Sequence, residues 1–82
     1  MYNRQFKEGD FIISNWAHSI YIVHLVNNAN FCNLECIGST VNGQYIIKDK
    51  SIWYRELLTD AYRYVFISEE QVNKIKKLMV FK

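Results

Sequence analysis

The chain has 82 residues, of which 50% are hydrophobic and 16% are aromatic. This length allows one domain, residues 1–82, with a single modest core, and the composition excludes an intrinsically disordered chain. Ten basic and eight acidic residues give a formal net charge of +2, which is too small to attract the whole protein to polyanions.

The sequence carries no signal for export or for membrane insertion. The opening Met1-Tyr2-Asn3-Arg4 lacks the apolar core of a signal peptide, and no apolar run approaches the about 20 residues that span a bilayer. We therefore expect a cytoplasmic protein with no membrane partner.

The first half of the chain predicts antiparallel strands separated by short polar turns. In residues 6–13, a charged turn leads directly into an apolar run. β-Branched and aromatic residues, with polar–apolar alternation in the third segment, predict strands over Phe11–Ser14, Ser19–Val26 and Phe31–Ile37. Asn42-Gly43 favours a two-residue hairpin turn because both positions tolerate positive φ, so residues 44–48 are predicted to pair with the preceding strand.

The second half contains one ambiguous segment and one clear helix. In residues 51–59 the run Ile52-Trp53-Tyr54 favours a strand, but Tyr54, Leu57, Leu58 and Ala61 have helical spacing. We expect a short helical turn or an irregular connection there, followed by a closing strand over residues 62–67. Residues 68–71 (Ser-Glu-Glu-Gln) form a capping box, which predicts a helix over residues 69–80 whose apolar stripe packs on the strands (Val72, Ile75, Leu78 and Met79).

These elements predict a mainly β fold: a small SH3-like antiparallel barrel of about five strands over residues 6–67, with a C-terminal α-helix. Three segments resemble small SH3-like barrel proteins encoded by bacterial phages and mobile elements, namely residues 6–13, Tyr21-Ile22-Val23, and Tyr62-Arg63 running into residues 68–72. The resemblance covers both ends of the chain better than the middle. It implies a non-enzymatic accessory protein, such as an inhibitor or modulator of a host protein.

The residues that carry catalysis or hold metals do not form a known motif. The sequence has no glycine-rich phosphate loop, no GxSxG elbow and no HExxH helix, so we predict a protein that is not an enzyme and has no cofactor. The residue types of a His2Cys2 zinc site are present, namely His18, His24, Cys32 and Cys36, and a zinc site is the hypothesis that they raise. The two cysteines face one way on the predicted strand but lie about 13 Å apart, which argues against zinc and against a disulfide.

We therefore interpret both cysteines as core residues and predict no metal site. His18 is interpreted as a solvated turn residue. His24 is interpreted as a surface residue or as one that is bonded to the backbone.

The aromatic residues point to a binding function. Two Trp, six Tyr and five Phe are many for a core of this size, so we predict that some are exposed and bind a protein partner. The candidates are Trp16, in the first hairpin loop, and Trp53 with Tyr54. The alternative for Trp53 is that it fills the barrel end under the C-terminal helix. An exposed edge strand or residues 80–82 offers a homodimer contact as a further alternative.

Nucleic-acid binding is the second class of function that the sequence supports. Basic side chains contact phosphates and aromatic rings stack on unpaired bases, and the chain brings six such residues close together in sequence: Lys48, Lys50, Arg55, Tyr62, Arg63 and Tyr64. Against this, Asp49, Glu56 and Asp60 partly cancel the local charge. We therefore expect a protein partner, with a nucleic acid as the alternative.

Overall fold

The computed structural model describes residues 6–15, 17–25, 31–57 and 63–80. Five antiparallel strands form one sheet in the order β4-β3-β2-β1-β5, and a helix follows the last strand. The mainly β fold with a C-terminal helix is therefore confirmed. The elements are β1 Phe11–Ser14, β2 Ser19–Leu25, β3 Phe31–Val41, β4 Gln44–Leu57, β5 Tyr64–Phe66 and α1 Glu69–Val80.

The locally encoded elements lie where the sequence predicts them. β1 and α1 have the predicted bounds. Asn42 and Gly43 have φ of 52° and 80°, the positive values of a type I′ turn between β3 and β4. At the start of α1, the Ser68 hydroxyl accepts a hydrogen bond from the Gln71 N–H at 3.4 Å. The Gln71 side chain does not complete the capping box, because its carbonyl accepts from the Tyr45 hydroxyl at 2.5 Å.

The β3–β4 hairpin is much longer than predicted, and the predicted irregular connection is wrong over residues 51–57. These residues continue β4, because Ile52, Trp53 and Tyr54 pair with Cys36, Glu35 and Leu34 of β3. The helical spacing of Tyr54 and Leu57 is therefore overridden by ladder pairing and by the strand propensity of β-branched and aromatic residues. Conversely, the closing strand is shorter than predicted, since β5 covers Tyr64–Phe66 only.

A bulge interrupts the pairing of β3 with β4 between Cys36 and Gly38. In β3 only Ile37 separates Cys36 from Gly38, but residues 48–51 separate their partners in β4. A second irregularity lies at the same level between β2 and β3. The consecutive residues Ile20 and Tyr21 of β2 pair with Gly38 and Cys36 of β3, and Ile37 lies between these two partners. The backbone of β4 lies very close to Gly38, since a Cβ there would be 2.2 Å from the Ile46 carbonyl oxygen. This close approach explains why a glycine stands within a strand.

Apolar side chains pack on both faces of the sheet. On one face, called the inner face, Phe6, Ile12, Val23, Cys32 and Leu34 are buried with flanking tyrosine and phenylalanine rings. The other face, called the helix face, is covered by α1: here Ile75 is buried against Phe11, Ile20 and Ile37, with Val72 and Met79 packed beside them. Leu78, predicted in the same stripe, is exposed. Cys32 and Cys36 are both buried and free, so their interpretation as core residues is confirmed.

The sheet curls toward its inner face. Tyr64 of β5 and Glu56 of β4 belong to the two outermost strands, yet the Tyr64 hydroxyl donates a hydrogen bond to the Glu56 carboxylate at 2.6 Å. The described residues of β4 and β5 do not pair through their backbones. The open sheet is thus bridged by a side chain, and a closed barrel stays a prediction.

Candidate functional site

A run of exposed apolar side chains lies on β4, one of the two outermost strands of the sheet. Three consecutive large side chains, Ile52, Trp53 and Tyr54, have exposed fractions of 46%, 54% and 50%. Their pairing with β3 places Ile52 and Tyr54 on the inner face, opposite Cys36 and Leu34, and the strand alternation places Trp53 on the helix face. We call these three residues the β4 edge. The prediction that Trp53 and Tyr54 are exposed is confirmed, and the alternative that Trp53 fills the space under the helix is wrong.

Trp53 is held in place by a histidine that is itself fixed. The ring centroids of Trp53 and His24 are 4.6 Å apart with the planes tilted by 39°. The Nδ1 atom of His24 lies 3.1 Å from Glu8 Oε2, and the Nε2 atom lies 2.9 Å from Glu35 Oε1. Each ring nitrogen of His24 therefore has a carboxylate oxygen within hydrogen-bond distance. The sequence interpretation of His24 missed these carboxylate partners.

Tyr54 lies at the rim of the inner face. Its ring packs edge-on against Tyr21 at 6.2 Å, and Tyr21 packs edge-on against Tyr64 at 5.7 Å. Burial raises the pKa of the Tyr64 hydroxyl above its ordinary value, and the hydrogen bond to Glu56 raises the pKa further. Burial also raises the pKa of Tyr21. Tyr54 is thus the exposed end of a row of tyrosines that otherwise belongs to the core.

Arg55 extends the helix-face side of the same strand. Its guanidinium lies over the Phe31 ring, 4.3 Å from the centroid, a cation–π contact that orders an exposed basic side chain. Arg55 and Trp53 are two residues apart on one strand and therefore share a face. The surface around Trp53 therefore combines apolar and charged groups. It includes the Arg55 guanidinium and the His24 ring with its two carboxylate neighbours.

The described residues among those predicted to bind nucleic acid do not all lie on one face, since Arg55 lies on the helix face and Tyr64 on the inner face. Lys48 and Lys50 are exposed in the bulged stretch of β4, and Arg55 lies on the helix face. Tyr64 packs on the inner face between Phe6 and Tyr21, where its ring is not available as a stacking platform. Arg63 is exposed just before β5, and its carbonyl accepts from the Asn15 N–H at 3.0 Å. Tyr62 and the protein-binding candidate Trp16 lie outside the described residues.

A shallow cavity of about 220 Å³ lies beside the site, between β3, β4 and Met79 of α1. Its wall includes Glu35, which also binds His24, and Lys48 and Asp49 of the bulged stretch. This volume is below the about 300–1,000 Å³ of small-molecule pockets. Within the described part of the chain, no group of three or more His, Cys, Asp or Glu side chains is arranged to hold a metal ion.

The helix of the described residues is too short to cross a bilayer, and none of the other elements is helical. Comparisons with protein-family models, with curated proteins and with solved structures find no match for this chain.

Proposed function

We propose that this chain is a non-catalytic module that binds another protein through the β4 edge. The observation that carries the proposal is the run of three exposed large apolar side chains, Ile52, Trp53 and Tyr54, on the outermost strand of the sheet. An exposed, apolar edge strand is a surface that proteins normally cover or interrupt with charge.

The distribution of the three side chains selects one mode of binding. Trp53 lies on the helix face, and Ile52 and Tyr54 lie on the inner face, so a partner that docks on one face contacts only part of the set. An extended segment that adds to the sheet beside β4 contacts all three, because its side chains alternate between the same two faces. Such strand addition combines backbone hydrogen bonds with side-chain contacts that provide specificity.

The way Trp53 is held supports a binding function. Association costs free energy for every flexible side chain that must be ordered. Trp53 is packed against His24, whose two ring nitrogens each contact a carboxylate, so part of that cost is met before the partner arrives. Tryptophan and tyrosine side chains also contribute most strongly to protein interfaces.

The resemblance to small SH3-like barrel proteins of phages and mobile elements supports the same class of function. It implies an accessory protein that inhibits or modulates a host protein, and we propose on the same ground that the fold is an SH3-like barrel. The two free cysteines in the core are compatible with a reducing cytoplasm as the working compartment.

The proposal is tested by affinity capture with a tagged chain from a lysate of cells that also contain an untagged copy of the chain, and the lysate is divided into nuclease-treated and untreated halves. We expect a discrete protein in both halves, and we expect Trp53→Ala to reduce its capture about 30-fold, as truncation of a central interface residue does. Because Trp53 is half exposed, this variant keeps a cooperative unfolding transition. The matched control is Val41→Ala, which truncates a side chain of similar exposure away from the β4 edge.

A different outcome of the same experiment identifies the nucleic-acid alternative. In that case the captured material is removed by nuclease and eluted by salt, and the double variant Arg55→Glu and Arg63→Glu abolishes its capture. That result, with Trp53→Ala unchanged, contradicts the proposal.

A further inference from the structure

We infer that the partner of the β4 edge is the β4 edge of a second copy of this chain, paired antiparallel with Trp53 on the two-fold axis. The inference rests on the proposed function and specifies its partner. It is carried by the self-complementarity of β4, which appears when the strand is placed against itself.

Symmetry limits the registers in which two β4 strands can pair. A two-fold axis perpendicular to the sheet makes the strands antiparallel and keeps the helix faces of both copies on the same side. Residues that lie directly opposite each other therefore come from the same face. Trp53, on the helix face, can lie opposite Ser51, Trp53 or Arg55, and Tyr54, on the inner face, can lie opposite Ile52, Tyr54 or Glu56.

The register centred on Trp53 pairs apolar side chains with apolar side chains. Trp53 lies opposite its own copy, and each Ile52 lies opposite a Tyr54. Aromatic–aromatic and aromatic–β-branched pairs across strands each stabilise a sheet by about 0.2–1 kcal/mol. All three exposed side chains of the β4 edge thus acquire apolar neighbours in a single register.

Charges in β4 favour the same register. Centred on Trp53, each Lys50 lies opposite a Glu56, and each Arg55 lies opposite a neutral Ser51. A register centred on Arg55 places two guanidinium groups against each other, and one centred on Tyr54 places each Glu56 opposite an Ile52. Centred on Ile52, Trp53 lies opposite Ser51 and Tyr54 opposite Lys50. Like charges opposite each other destabilise a sheet and opposite charges stabilise it.

The resulting dimer has one continuous sheet of ten strands. Both β4 edges become interior, which removes the exposed edge strand from solvent. The two Trp53 rings lie side by side on the helix face, so the dimer also presents a larger aromatic surface than one copy does.

The first test is the mass of the wild-type chain by analytical ultracentrifugation from about 10 μM to about 1 mM. We expect the mass to rise from one chain to two across this range, and we expect Ile52→Lys to remain at the mass of one chain throughout. The control is Val41→Lys, which introduces the same charge at a residue of β3 that is 48% exposed. This variant should dimerise like the wild type. Circular dichroism confirms that both variants are folded.

The second test identifies the register by disulfide formation. Directly opposite residues in an antiparallel pair have Cα atoms about 4.5–5.5 Å apart, within the range that a disulfide spans. We expect Trp53→Cys to form a cross-linked dimer on oxidation. We expect Tyr54→Cys alone not to cross-link, and Ile52→Cys with Tyr54→Cys, which retains Trp53, to cross-link. The chain's own Cys32 and Cys36 are buried.

A wild-type mass of one chain at every concentration overturns the inference, and so does cross-linking of Tyr54→Cys in place of the double variant. If the chain is a monomer but Trp53→Ala loses a captured protein, the second copy is excluded and the proposed function stands. If the chain is a monomer and capture does not depend on Trp53, both are overturned.

Discussion

Replacing Gly38 with alanine should be among the most damaging single-methyl changes in the sheet. Gly38 lies in β3 at the bulge, where it pairs with Ile47 of β4. The added Cβ would lie 2.2 Å from the Ile46 carbonyl oxygen, 3.0 Å from the Ile47 Cα and 3.1 Å from the Ile46 carbonyl carbon. All three are backbone atoms, so no side chain can rotate to make room.

The cost follows from the distance that the strands must separate. Non-bonded heavy atoms are most stable about 3.5–4.0 Å apart, so full relief of the 2.2 Å contact requires the Ile46 carbonyl to move by about 1.3–1.8 Å. Forcing an extra methyl group into a packed site costs about 1–3 kcal/mol, and the loss of a ladder hydrogen bond adds about 1 kcal/mol. The substitution also lowers the conformational entropy of the unfolded chain, which raises the free energy of unfolding by about 0.4–1 kcal/mol. We expect a net loss of about 1–4 kcal/mol, centred near 2–3 kcal/mol, from a total of about 4–12 kcal/mol for a chain of this length.

The measurement is urea unfolding followed by circular dichroism, with thermal unfolding alongside. A loss of this size lowers Tm by roughly 10–20 °C in a domain of this length. The control is Gly43→Ala, where nothing lies within 4 Å of the added Cβ but φ is +80°. That variant should lose about 1–2 kcal/mol from the left-handed backbone alone. If Gly38→Ala is no less stable than Gly43→Ala, the close approach of β3 and β4 is refuted.

Two further predictions test the bridge between the outer strands and the helix start. Because burial raises the pKa of Tyr64 above its ordinary value of 10.0, the folded chain keeps this proton at a pH where the unfolded chain has lost it, so stability should fall as the pH rises above about 10. Tyr64→Phe should make that fall shallower in urea unfolding between pH 7 and 11, and an unchanged pH dependence would contradict the assignment. Ser68→Ala should cost about 1 kcal/mol and Ser68→Asp should restore most of it. Equal stability of Ser68→Ala and the wild type in the same assay would show that the hydroxyl does not cap α1.

Sequence reasoning succeeded where the structure is determined by neighbouring residues. The turn at Asn42 and Gly43 requires positive φ at both positions, which these two residue types tolerate. The start of α1 is set by the Ser68 hydroxyl, three residues from the N–H that it caps. Both features depend on contacts within four residues of the chain, so they can be read without knowledge of the fold.

Sequence reasoning failed where pairing between distant residues decides the structure. Residues 52–57 are a strand because they pair with residues 31–36 of β3, and no local pattern records that pairing. The contact of His24 with Glu35 depends on the register between β2 and β3. The exposure of Trp53 depends on β4 being the outermost strand, and strand order is not encoded locally.

The central claim, that the β4 edge binds protein, is tested most directly by photo-cross-linking in the cell. A photoreactive phenylalanine derivative replaces Tyr54 in one version of the chain, and Val41, of similar exposure but away from the β4 edge, in another. We predict a discrete protein adduct from position 54, whether with a second copy or with a different chain, and none from position 41. Equal labelling from the two positions, or an adduct of position 54 that nuclease removes, would contradict the claim.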